Sequence, residues 1–210
     1  MKKILALALL SLLFSTPAFA VPPTVLIIGD SISSGYTPIV DASLQGFMCV
    51  GHNKGNAGNT ENLYIHLEEY LRDVQWTVIH VETGGLHNTS PAELVPPERY
   101  AELLHLTFTR LLQTGARIVW ATTTERPQGA ANVGLEVDYN AIASMVLRDF
   151  PEVLVDDLWS VSRTLLQDQH LSPGNVHYTQ VGYEILAEYV EESLWRALGL
   201  SKWQGLVKKK

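Results

Sequence analysis

The chain has 210 residues, 46% of them hydrophobic, and a formal charge of −7. That length and apolar content fit one domain around one sizeable core, and the acidic balance argues against nucleic acid as the main partner. Cys49 is the only cysteine, so an intrachain disulfide is excluded and packing must stabilise the fold.

Lys2 and Lys3 precede the apolar run Ile4–Phe14, and Ala18-Phe19-Ala20 offers small residues for cleavage. This layout predicts a secretory signal peptide over residues 1–20, cut after Ala20, with one domain over 21–210. The run is too short for a membrane span, and no other segment approaches that length. The expected product is exported, periplasmic or secreted, soluble, and near −9 in charge without the two leader lysines.

Val25–Ile28 is a continuous apolar run, as a strand buried on both faces would be. Pro38–Leu44 reads as a short helix. Phe47–Val50 reads as a second strand, with Cys49 a small buried hydrophobe inside it. A helix is expected from Asn59 to about Leu71, and a third strand over Trp76–Val81. Pro96 and Pro97 stand where a helix would start; Tyr100, Leu103, Leu104, Phe108, Leu111 and Leu112 then keep three- and four-residue spacing up to Gly115. Ile118–Ala121 is the fourth strand, Asp138–Arg148 a helix, Val153–Val155 the fifth strand, and Tyr178 to about Leu198 the closing helix. No linker or internal repeat divides the chain. Alternation of this kind predicts an α/β fold, a three-layer α/β/α, flavodoxin-like arrangement with a central parallel sheet of about five strands.

Ligands on such sheets bind at the C-terminal ends of the strands. Ser31 follows the first strand, His87 the third, and Thr122–Thr124 the fourth. A serine in this place could cap a helix or act as a nucleophile if a base takes its proton. The residues alone leave both readings open.

Four stretches in order decide between them. They are Gly29-Asp30-Ser31-Ile32-Ser33; Gly55-Asn56-Ala57-Gly58-Asn59-Thr60; Gly85-Leu86-His87-Asn88; and Asn175-Val176-His177-Tyr178-Thr179 with Gly182-Tyr183. Together they resemble the blocks of the SGNH/GDSL hydrolase family, and Ala116–Thr124 is similar to that family's fourth strand. The resemblance spans essentially the whole chain after residue 20. It implies a carboxylic ester hydrolase, a GDSL-type esterase or lipase, acting on short acyl esters, with O-acetyl groups on carbohydrate as one substrate class. No metal or other cofactor is implied. In that reading Ser31 is the nucleophile and His177 the base, a role suited to imidazole because it accepts and returns a proton near neutrality. The oxyanion hole would comprise the N–H groups of Ser31 and Gly58 with the side chain of His87, which stands in the family's asparagine position.

One departure concerns the base. The family's histidine is oriented by an aspartate three residues earlier, and here that residue is Gly174. A Ser–His dyad held by a backbone carbonyl is the favoured expectation. Asn175, through its amide oxygen, and Asp168, folding back, are the other candidates for orienting His177. If a missing orienter limits the rate, Gly174→Asp should raise turnover. The same departure motivates the alternative of a catalytically impaired protein on this scaffold that binds a carbohydrate or another ligand. The pairs His80/His87 and His170/His177 lack a compact metal-ligand spacing, and no GxGxxG follows the first strand.

Overall fold

The computed structural model describes residues 21–83 and 94–202. Five parallel strands lie in the order β2-β1-β3-β4-β5: β1 (Thr24–Ile28), β2 (Cys49–His52), β3 (Val78–Glu82), β4 (Arg117–Ala121) and β5 (Leu154–Asp156). The helices are α1 (Ser31–Leu44), α2 (Thr60–Ile65), α3 (Leu67–Leu71), α4 (Pro97–Leu112), α5 (Leu135–Val146), α6 (Leu158–Ser162) and α7 (Gln180–Ala197). This is the three-layer, flavodoxin-like architecture that the alternation predicts.

Strand periodicity builds the two cores. Val25, Ile27, Val78, Val119 and Ala121 face one side, where Ile32, Tyr36 and Val40 of α1 meet Leu186, Val190 and Leu194 of α7. Leu26, Ile28, Ile79, Val81, Ile118 and Trp120 alternate onto the other side, under Leu63, Tyr100, Leu104, Phe108 and Tyr139. Because both faces are covered, β1 is apolar from Val25 to Ile28 and β4 from Ile118 to Ala121, while β3 buries two polar side chains, His80 and Glu82.

The elements differ from the sequence expectation where local chemistry outweighs the pattern. Helix α1 begins at Ser31, seven residues before Pro38, because the Asp30 carboxylate accepts the Ile32 N–H at 2.8 Å and caps it. Pro38 lies inside the helix and removes one ladder bond without ending it. The expected helix after Asn59 divides at His66, whose backbone N–H and Nδ1 both bond the Asn62 carbonyl, at 3.2 and 2.9 Å, and finish α2. Strand β2 starts at Cys49 rather than Phe47, pairing Cys49 with Thr24 on the sheet's outer edge. Cys49 is therefore exposed, correcting the expectation of a buried thiol. Phe47 instead packs edge-to-face on Trp195, 5.7 Å between ring centres.

The chain leaves β1 for β2 on one side and later fills β3 on the other, so strand order reverses beside β1. A crevice opens at the C-terminal ends of strands flanking such a switch. Ser31 stands at that end of β1.

Candidate active site

The turn from β1 into α1 holds Ser31 at the first helical position, where its N–H has no partner within the helix. Its hydroxyl meets a side chain 146 residues away: His177 Nε2 lies 2.8 Å from Ser31 Oγ. The helix pair α1 and α7 makes this meeting. Gly35 of α1 has no side chain, and a Cβ there would lie 2.2 Å from the Tyr183 ring, so α7 seats directly on α1 and delivers the loop before it to Ser31.

That loop is built to hold one histidine. His170 and Tyr178 form an antiparallel bridge, and the Leu171 N–H donates to the His177 carbonyl at 3.0 Å. Asn175 Oδ1 accepts both the His177 backbone N–H, at 2.9 Å, and the His177 ring at Nδ1, at 3.0 Å. An amide N–H can only donate, which fixes that Asn175 atom as oxygen. An amide oxygen can only accept, which puts the imidazole proton on Nδ1. Nε2 is thus left with its lone pair toward the Ser31 hydroxyl. His170 Nδ1 in turn bonds the Asn175 carbonyl at 3.1 Å, so it braces the residue bonded to the His177 ring.

The group at His177 Nδ1 is thus a side-chain amide oxygen, that of Asn175, where a backbone carbonyl was the favoured expectation. Asp168 is exposed in a short 3-10 turn over Gln167–Gln169 and is not the group bonded to His177 Nδ1. Gly174 adopts φ +74°, and a Cβ there would lie 2.9 Å from the Gly129 carbonyl carbon and 3.0 Å from its oxygen. The family's aspartate has no room in this loop, because the segment around Gly129 packs against it. The expected gain from Gly174→Asp is accordingly withdrawn.

Gly58, with φ +63°, lies in the loop after β2. Its N–H donates to the exposed Asn56 Oδ1 at 2.8 Å. His87, with its neighbours over 84–93, lies outside the described residues, as does the leader over 1–20. Thr122 serves structure: its hydroxyl accepts the Trp159 N–H at 2.7 Å at the start of α6. Of the histidines weighed as metal ligands, His80 is wholly buried and bonds Asp156 at 2.9 Å, while His170 is engaged as above. Among the described residues no cluster of three or more His, Cys, Asp or Glu side chains could hold a metal ion.

Two features of the site were not foreseen from the sequence. Beneath Gly29 and Asp30, at the end of β3, lies the buried carboxyl of Glu82. Burial, and then the charge of Asp30, push it well above the usual carboxylate range. Beside α1, Ser33 Oγ lies 2.7 Å from His52 Nε2. This second Ser–His pair has no approach for a substrate, since Ser33 is wholly buried. The rule that functional residues follow strands would have nominated Glu82, His52 and Asn53, but nothing in the sequence ranked them.

No protein-family model matches the chain, and no curated protein matches its sequence. Solved structures do match its fold. A lipase/acylhydrolase from Enterococcus faecalis is 16% identical with a TM-score of 0.70, covering 82% of this chain and 95% of its own. An acetyl xylan esterase from Geobacillus stearothermophilus is 15% identical with a TM-score of 0.67, over 85% of this chain and 95% of its own. A protein assigned to the G-D-S-L lipolytic family, from Desulfitobacterium hafniense, is 18% identical with a TM-score of 0.64, over 80% and 97%. The chain has the fold of the SGNH hydrolases.

Proposed function

We propose that the protein is an exported serine ester hydrolase that removes short acyl groups, with O-acetyl groups on carbohydrate as the substrate class. The observation that carries this reading is the Ser31–His177 contact, with the ring proton held on the far nitrogen by Asn175. Ser31 Oγ attacks the ester carbonyl as Nε2 takes its proton. The tetrahedral oxyanion is held by the N–H groups of Ser31 and Gly58, with His87 as the side-chain donor. The C–O bond to the alcohol then breaks, and the imidazolium returns its proton to the leaving oxygen. Water, deprotonated by the same imidazole, releases the acid and restores Ser31. The acetyl xylan esterase among the fold matches supports the choice of acyl group and alcohol. The negative net charge disfavours polyanionic substrates. Export rests on the lysine-led apolar segment at residues 2–20.

Hydrolysis of p-nitrophenyl acetate by the wild type and by Ser31→Ala tests the reading. The wild type is expected to turn over well above Ser31→Ala, and acetylated xylan to release acetate only with the wild type. Equal background rates in the two proteins would sink the enzyme and leave a ligand-binding module on the same scaffold.

A further inference from the structure

An oxyanion hole made of backbone N–H groups works only if two separate segments are held at a fixed spacing. Here one donor, Ser31, opens α1, and the other, Gly58, lies in the loop after β2. What joins them is Asn53, one residue beyond the end of β2 and 4% exposed. Burying a primary amide is costly unless both of its ends are bonded, and both are. Oδ1 accepts the Gly29 N–H at 2.8 Å, and Nδ2 donates to the Gly55 carbonyl at 3.2 Å. Its backbone N–H donates to the Ile27 carbonyl at 3.0 Å, which anchors the residue on β1 itself.

The neighbouring contacts tighten the same joint. The Gly29 carbonyl accepts the Ala57 N–H at 2.9 Å, so both backbone polar groups of Gly29 are taken up by the segment that carries Gly58. His52 Nδ1 donates to the Asn53 carbonyl at 2.8 Å, and its Nε2 lies 2.7 Å from the hydroxyl of Ser33 in the first turn of α1, which also donates to the Asp30 carbonyl at 2.9 Å. Gly29 itself admits no substituent: a Cβ would lie 2.6 Å from Ser33 Oγ and 2.9 Å from the Glu82 carbonyl oxygen. One side-chain amide thus offers an acceptor to the turn before Ser31 and a donor to the glycine loop at once.

We infer that Asn53, braced by His52, is a positioning residue that sets the separation of the Ser31 and Gly58 N–H groups and so tunes the oxyanion hole. The inference rests on the ester-hydrolase reading above. It asks of Asn53 no contact with substrate.

The test compares wild type, Asn53→Ala and Asn53→Asp on an acetyl oxoester and on the thionoester that differs only in carrying C=S. Sulfur is a weak hydrogen-bond acceptor with a longer bond to carbon, so a well-set hole discriminates against it and a displaced hole does not. For Asn53→Ala the oxoester kcat is expected to fall by about 10²-fold, the scale of a lost or misplaced oxyanion donor. KM should stay within about twofold of wild type, and the oxoester-to-thionoester rate ratio should shrink. Asn53→Asp keeps the acceptor for Gly29 but loses the donor to Gly55, so it should lie between the two, and it carries the test if the alanine variant fails to fold. An unchanged oxoester kcat in the folded variants, or an equal fall on both esters, would overturn the role. If the wild type is no faster than Ser31→Ala, the hydrolase reading fails and this inference falls with it; an active wild type with an indifferent Asn53 overturns the inference alone.

Discussion

An amide in place of a carboxylate changes what His177 could do in the proposed reaction. Asn175 fixes the tautomer and the ring plane of His177 as an aspartate would, but it offers no charge to the imidazolium that forms when Ser31 loses its proton. Hydrogen bonds to an ionised acceptor are roughly twice as strong as neutral ones. Asn175→Ala is therefore expected to lower kcat by about 10²- to 10⁴-fold, the upper end being the loss seen when a protease triad holds the wrong tautomer. Asn175→Asp keeps both accepting contacts and adds the charge, so kcat should rise and the acid limb of the pH–rate profile should move to higher pH. A fall in kcat for the aspartate variant would mean that the neutral amide is what this loop requires. Gly174→Asp is a different case. Its backbone lies in the left-handed region against Gly129, which costs a non-glycine residue about 1–3 kcal/mol. Thermal melting should show a lower midpoint, by roughly 2–4 °C per kcal/mol for a chain of this size, with activity reduced rather than raised.

Between elements, the closest approach that matters is α1 against α7. Glycine at position 35 is required by the Tyr183 ring, which occupies the space a Cβ would take, and the ring also stands edge-on to Tyr178, 5.5 Å away. Gly35→Ala must push α7 outward or turn the ring, an overpacking cost of about 1–3 kcal/mol. Since α7 carries the loop of His177, activity should drop together with stability, measured by urea unfolding and ester turnover. The double variant Gly35→Ala/Tyr183→Leu should recover part of both. No recovery in the double variant would locate the strain elsewhere.

Across the whole molecule, two titratable groups beside the site, the buried Glu82 and the half-buried His52, act on stability in opposite directions. Glu82 has a folded-state pKa above its unfolded one, so its neutral form stabilises the protein fully at pH below about 4.3. That contribution is lost as pH rises through the folded value, where the ionised carboxyl stands buried near Asp30. His52 is shifted the other way, lowered by burial. Its contribution is complete above about pH 6.5 and is lost as pH falls through the folded value. Urea unfolding across pH is expected to give a Glu82→Gln variant a flatter stability profile on the alkaline side than the wild type. Identical slopes would show that Glu82 titrates alike in the folded and unfolded chains.

Much of the architecture was legible because buried parallel strands announce themselves. The runs Val25–Ile28 and Ile118–Ala121 are apolar at every position, and the spacing of Tyr100, Leu104 and Phe108 can serve only a helix face. The ordered glycine, serine and histidine blocks likewise nominated Ser31, Gly58 and His177 with no coordinates at all. Edges and ends were less legible. Cys49 could not be told from a core residue, because edge position is a property of the sheet and not of the strand's own sequence. Helix α1 started early because a cap at Asp30 outweighed the signal of Pro38. The sequence by itself determined the alternation of strands and helices and the residue types that could do chemistry, since periodicity and side-chain chemistry are local. Only the tertiary structure decided that an amide two residues before His177 orients it, that Gly129 leaves no space for a carboxylate at position 174, and that Asn53 ties the nucleophile turn to the glycine loop. The last two depend on which segments the order of the strands and the packing of the loops bring within reach; the first is a contact within one loop, whose shape is held by His170 and Tyr178.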